Sequence, residues 1–296
     1  MASARVYLFT LVFLCGPGLG TAAAYCRLTT DMPTASQTCA TTGVGLAWKR
    51  NCISYSLVKR SDPLPLFETV RDVTDTSFRT WNRVTCGGEA LGLQLAQTEQ
   101  LSECTDPGYN KNSANANSII FVQDWAEREL PPDAFGLTLV WHNPNSGEIY
   151  DADMQINETL GTLAVCRGSC GRGEVDLQNV ITHEAGHFLG LGHSNVSSAT
   201  MASRATVGEI KKRDLDADDI AGLCAIYGDY AQAVCEAMDF TPDRGFSPEC
   251  KPPPVEGASD SDGCRVAVTS AGRAVPDALL GAGVLLLMLR SRKRRR

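Results

Sequence analysis

The stretch THEAGHFLGLGHSN, Thr182 to Asn195, holds three of the four histidines in a chain of 296 residues. His183 and His187 are four apart, so on a helix both imidazoles leave the same face and one metal ion can accept both. Glu184 follows the first histidine and does not share that face. It stands beside it, where a carboxylate can take a proton from water activated by the metal. Gly190 comes three residues after His187. Glycine adopts a left-handed backbone cheaply, so it can end the helix and swing the chain back. His193 then arrives from the turn as a third ligand. Three histidines leave one position of a tetrahedral zinc open, which is the catalytic rather than the structural arrangement. A lone histidine on a helix is more often a satisfied core residue. A His-Glu-x-x-His-x-x-Gly-x-x-His spacing fixes five positions in eleven, however, and points to metal-dependent hydrolysis.

On these residues the chain resembles the metzincin zinc endopeptidases: His183, Glu184, His187, Gly190 and His193 match their motif, and Met201 matches their Met-turn. In that family the methionine lies beneath the metal and supports it without ligating it. Ser194, directly after the third histidine, is the matrixin choice; astacins have Glu there and serralysins Pro. Trp48–Leu57 and Phe78–Val84 look like the first strand and helix of matrixins. Gly147–Asn157 looks like their edge strand above the cleft, and Asp216–Gly228 like their closing helix. The resemblance spans roughly Leu46 to Gly228. It implies an α+β, zincin-like domain: a twisted, mainly parallel five-stranded sheet, a zinc-binding helix below it, a C-terminal helix, and a cleft between two subdomains. It also implies one catalytic Zn2+ on the three histidines and a protein or peptide substrate lying extended along Tyr150–Asn157.

The departures from the family are specific. Matrixins usually hold a second, structural zinc on three further histidines and an aspartate, and only His142 remains here, so that site is not expected. The PRCGxPD latency segment has no counterpart between Tyr25 and Leu46. Ala202-Ser203 replaces the Tyr-Pro that commonly follows the Met-turn, so cleavage preferences should not be carried over. No tyrosine follows directly on the Met-turn, where Met201 leads into Ala202-Ser203, so the fifth ligand of astacins and serralysins is not expected either. Asp-rich loops admit Ca2+ as a further ion, though none has a specific ligand pattern. Asp218 and Asp219 are expected to anchor the last helix rather than to act in catalysis.

Both ends read as targeting segments. Arg5, an apolar run from Val6 to Cys15, and Ala22-Ala23-Ala24 form a secretory signal, expected to be cut between Ala24 and Tyr25. Gly16, Pro17, Gly18 and Gly20 argue against a buried helix there. Lys251–Gly263 is a Pro, Ser, Asp and Gly linker. It is followed by Cys264, an apolar run Ala278–Leu289 and RSRKRRR. Twelve apolar residues are short against the ~20 needed to span a bilayer, so neighbouring residues would have to help. This end resembles the C-terminal sorting tail of myxobacterial surface proteins, which implies processing near Cys264, transient membrane anchoring and delivery to the cell surface or beyond. The expected organisation is therefore residues 1–24 signal, 25–45 a Cys-containing segment, 46–230 the catalytic domain, 231–263 an extension and linker, and 264–296 the tail.

Composition excludes some classes. At 43% hydrophobic and 21% charged the chain is globular rather than disordered. Without both ends, 18 Lys and Arg face 33 Asp and Glu, a net charge near −15. That argues against nucleic-acid binding and for a soluble ectodomain, taken as a monomer. In an oxidising compartment the ten cysteines from Cys26 to Cys250 suggest disulfides, with pairing open. Cys166 with Cys170, or Cys86 with Cys104, could clip small loops. Periodicity predicts strands at Ile53–Val58, around Leu91–Leu95, at Ser118–Val122, Leu137–Trp141 and Gly147–Asn157. It predicts helices over Leu66–Val84, Leu177–Leu189 and Asp216–Tyr227. The functional reading is an exported zinc metalloendopeptidase. Its rival is a surface adhesion module that keeps the fold without turnover, and Glu184 tells against it, since a silent descendant has no need of that base.

Overall fold

A computed structural model describes residues 24–31, 39–59, 65–242 and the backbone of 264–271. The signal sequence before Ala24, Cys250, the linker Lys251–Gly263 and the apolar run Ala278–Leu289 lie outside the described residues. Among the described residues no helix is long and apolar enough to cross a membrane.

Strand β1, Cys52–Leu57, alternates Ile53, Tyr55 and Leu57 with small serines, and both faces are buried because helices and loops cover the sheet on either side. Helix α1, Phe67–Asn82, follows. Its buried Val70, Val73, Thr74, Ser77, Phe78 and Trp81 recur at three and four residues, the stripe of a helix laid on a core. A small hairpin, β2 Thr85–Cys86 and β3 Glu89–Ala90, leads to β4, Gln94–Gln97. Strands β5 Ser118–Val122, β6 Ala134–His142 and β7 Ile149–Asn157 come next. The short parallel pair β8 Thr162–Ala164 and β9 Glu174–Asp176 precedes helix α2, Leu177–Phe188. Helix α3, Ala217–Tyr227, and strand β10, Cys264–Ala271, complete the elements used below.

The main sheet has the order β10-β6-β7-β5-β1-β4. Strands β4, β1, β5 and β7 are parallel, while β6 is antiparallel to β7. The α+β architecture and the mainly parallel five strands are thus as expected, and β10 adds a sixth, antiparallel to β6. Helices α1 and α2 pack together under the sheet. Trp81 Nε1 donates to the Thr182 carbonyl at 2.9 Å, and Phe78 meets Phe188 edge to face and stacks on Tyr55.

Two expectations are corrected. The segment Gly147–Asn157 is not an edge strand: β7 lies inside the sheet, between β5 and β6. The reason is that its polar face is buried as deeply as its apolar one, with Asp151, Asp153, Gln155 and Asn157 each nearly inaccessible. Those side chains serve the backbone of neighbouring segments. Asp153 accepts from the Ser118 and Gly108 amides at 2.7 and 2.8 Å, and Asn157 donates to the Ala134 carbonyl. Burial pushes the Asp153 carboxyl up to about 7 even against those two donors. Of the five expected strands, β6 and β4 are the outermost, and β10 pairs along the outer side of β6. Second, Cys86 pairs with Cys224, not with Cys104. Cys166–Cys170 does close its small loop, Cys26–Cys39 and Cys52–Cys235 are also bonded, and Cys104 is disulfide-bonded as well.

Candidate metal centre

Helix α2 carries the first two histidines because its start and finish are both fixed. Asp176 caps it, accepting from the Asn179 amide at 2.9 Å, and Arg213 grips the same carboxylate. Eleven of its twelve residues are buried, so the helix runs through the interior rather than along a surface. At its end Gly190 sits at φ +87°. The Leu191 amide returns to the Gly186 carbonyl and the Gly190 amide to the His187 carbonyl, the paired closure of a Schellman turn. A side chain on Gly190 would also meet the Leu46 carbonyl at 2.8 Å. Trp48 Nε1 takes the Phe188 carbonyl and the Tyr227 hydroxyl the Leu189 carbonyl, so the last buried acceptors are satisfied.

The turn brings His193 back over the helix. The ring nitrogens of His183, His187 and His193 lie within 4.8 Å of one another. Nδ1 of His183 meets the Thr200 carbonyl at 2.6 Å, and Nδ1 of His187 the Leu191 carbonyl at 2.8 Å. A carbonyl accepts, so each Nδ1 carries the proton and each Nε2 is left with a lone pair. Nε2 of His183 and of His187 are buried and have no hydrogen-bond partner. Burial holds both imidazoles well below their usual pKa, in the neutral form that ligates a cation. Two buried nitrogens orphaned side by side would be costly unless something accepts them. The donor set fits a metal ion.

Glu184 is wholly buried under β6. Thr138 Oγ1 donates to its Oε2 at 2.7 Å, and a Cβ on Gly136 would lie 2.8 Å from its Cγ and Oε1. Met201 packs beneath: a Cβ on Gly186 would fall 2.2 Å from its sulfur. Asp219 holds that turn, accepting from the Thr200 and Met201 amides at 2.7 and 2.9 Å. Ser194 ties the ligand loop to α3, donating to Asp218 at 2.5 Å, and its amide donates to the Met201 carbonyl.

All the residues marked from sequence are therefore brought to one place. Thr138, Gly136, Gly186 and Lys212 were not marked. The first two come from a strand whose alternation says nothing of what lies below it. Gly186 lies inside the histidine motif at a position the motif leaves free. Lys212 is buried, 3.2 Å from His183 Nδ1 and donating to the Ala202 carbonyl, and burial lowers it to about 8. Nothing in the local sequence marks it as internal. His142, at the end of β6, belongs to neither group of metal-ligating side chains found among the described residues. The second such group, Cys166, Cys170 and Glu174, has its sulfurs committed to a disulfide.

An α+β sheet above a helix and turn that bring three histidines together, with a neighbouring glutamate and a methionine turn, is a metzincin-like fold whose histidine triad could hold a metal ion. The sequence profile of the matrixin family (Peptidase_M10) matches residues 47–228, and the chain belongs to that family. It is similar to Metalloendoproteinase 2-MMP of Arabidopsis thaliana, 31% identical over 185 residues covering 61% of this chain and 43% of the relative. Karilysin of Tannerella forsythia is 40% identical over 72 residues, 23% of this chain and 15% of the relative. Human neutrophil collagenase is 24% identical over 181 residues, 61% and 33% of the two chains. The chain spans less than half the length of these relatives.

Proposed function

We propose that the chain is an exported zinc endopeptidase with Glu184 as general base. The observation that carries this is the pair of buried, partnerless Nε2 atoms on His183 and His187, each aimed by a carbonyl behind it, with His193 beside them. His183, His187 and His193 would hold the ion. Zinc supplies Lewis acidity toward water and the scissile carbonyl. The buried Glu184 carboxylate, held by Thr138, takes the proton of the attacking water and delivers it to the leaving amine. Met201 packs under the ligands, and Gly190 shapes the turn that delivers His193. Substrates are extended proteins or peptides. Since β7 is internal, the strand beside which they lie is β6. Delivery through the signal and tail, a monomeric state, an additional Ca2+ and no nucleic-acid partner complete the reading.

The test is hydrolysis of casein by the purified chain, with and without a zinc chelator, beside Glu184→Ala. Activity is expected to vanish with chelator, return with zinc, and fall about 10²–10⁴-fold in Glu184→Ala while one zinc per chain is retained. Activity that survives chelation, or an active Glu184→Ala, would overturn the mechanism, and absence of stoichiometric zinc would overturn the site.

A further inference from the structure

The outer edge of β6 is already taken. Strand β10 runs antiparallel along it, pairing Cys264 with His142, Val266 with Val140, Val268 with Thr138 and Ala271 with Ala134, with an irregularity between Thr269 and Ala271. The strand it covers is the one that holds Glu184: Thr138 donates to the carboxylate and Gly136 makes room for it. Helix α2, which carries His183 and His187, also runs against β10. Strand β10 thus occupies the outer row of backbone donors and acceptors on the strand that touches Glu184.

From this juxtaposition we infer that β10 is a competitor for substrate within the same chain, occupying the peptide track along β6 until it is displaced or cut away. The inference rests on the peptidase reading above. A sheet edge offers one row of N–H and C=O groups and can pair with one strand at a time. A tethered strand also competes at an effective concentration of about a millimolar, far above ordinary peptide concentrations. The tether is the Pro, Ser, Asp and Gly run Lys251–Asp262, and one cut there separates β10 from the domain.

The experiment uses the full chain with a site-specific protease sequence inserted after Ala258. Amide hydrogen exchange of Ala134–His142 and kcat/KM on an internally quenched peptide are measured before and after the cut. Cutting should remove protection from the β6 amides and raise kcat/KM by at least about tenfold, mainly through KM. A synthetic Cys264–Ala271 peptide should restore the inhibition competitively. Two uncut variants, Val266→Pro/Val268→Pro and Ala267→Pro/Thr269→Pro, bracket the ladder. One of them removes the donors that face β6 and should reproduce the gain. Unchanged exchange in the cut chain and in both variants would overturn the pairing. Changed exchange with unchanged kcat/KM would overturn the competition. If neither form turns over, the peptidase reading falls. Binding of the labelled peptide to Glu184→Ala, at least tenfold tighter after the cut or no tighter, then decides the competition by itself.

Discussion

Two glycines without unusual backbone demands decide how the reactive groups sit. At Gly136 an added Cβ would meet the Glu184 side chain at 2.8–2.9 Å, a buried carboxylate with one oxygen tied to Thr138. The carboxylate can rotate away more cheaply than β6 can move, so Gly136→Ala should displace the base and spare the fold. We expect kcat to fall at least about tenfold, with KM, zinc content and melting temperature nearly unchanged. Loss of zinc or a large drop in melting temperature would show that the strand had moved instead. Gly186→Ala should behave in the opposite way. Its Cβ would fall 2.2 Å from the Met201 sulfur and 2.9 Å from the Trp81 ring, both packed in the core. Overpacking of this kind costs about 1–3 kcal/mol, to be read as a lower denaturant midpoint, and it loosens the floor of the ligand cluster.

Between elements, the carboxylate of Asp219 joins two structures. It accepts from the Thr200 and Met201 amides of the methionine turn and from the Asp216 amide at the start of α3. The Thr200 carbonyl in turn fixes His183 Nδ1. Asp219→Ala leaves three amides without that acceptor, which should cost roughly 3 kcal/mol and weaken zinc binding about 10–100-fold, measured by chemical denaturation and by competition with a chromophoric chelator. An unaltered zinc affinity would mean that the turn holds His183 without α3. The same scale shows what the sequence could reveal. The spacing of the histidines, Gly190 and Met201 carries the metal site because those contacts are local, within one helix and the turns after it. The role of Asp219 as an anchor was expected from the resemblance to matrixins, and its bonds to the methionine turn, 18 and 19 residues away, could not be read from local sequence. Strand order was not legible either. A strand buried on both faces can alternate polar and apolar residues as an edge strand does, and only the partners of Asp153 and Asn157, from Ser118, Gly108 and Ala134, show that the polar face of β7 is internal. Nor could alternation reveal that Thr138 and Gly136 lie over Glu184, since that depends on which strand crosses α2.

Across the whole molecule, a histidine cluster built largely on short-range contacts stands beside disulfides that join distant parts. Cys52–Cys235 links β1 to the segment after α3 across 183 residues, and Cys86–Cys224 links the β2–β3 hairpin to α3 across 138. Neither pairing follows from spacing, because it depends on α3 returning beside the first strand and hairpin. Cross-links that close long loops restrict the unfolded chain most, and removing one typically costs about 2–4 kcal/mol. The carbonyls that aim His183 and His187 belong to Thr200 and Leu191, neither of them in a hairpin or helix that Cys86–Cys224 joins. Cys86→Ser/Cys224→Ser should therefore lower the denaturant midpoint by an amount worth about 2–4 kcal/mol, with one zinc per chain and kcat on the quenched peptide retained at 25 °C. Equilibrium denaturation with bound zinc, followed by zinc release and tryptophan fluorescence together, checks this. If zinc leaves well before the fold does, the bridge between the hairpin and α3 supports the metal site through Asp219, and the expected independence of the two is wrong.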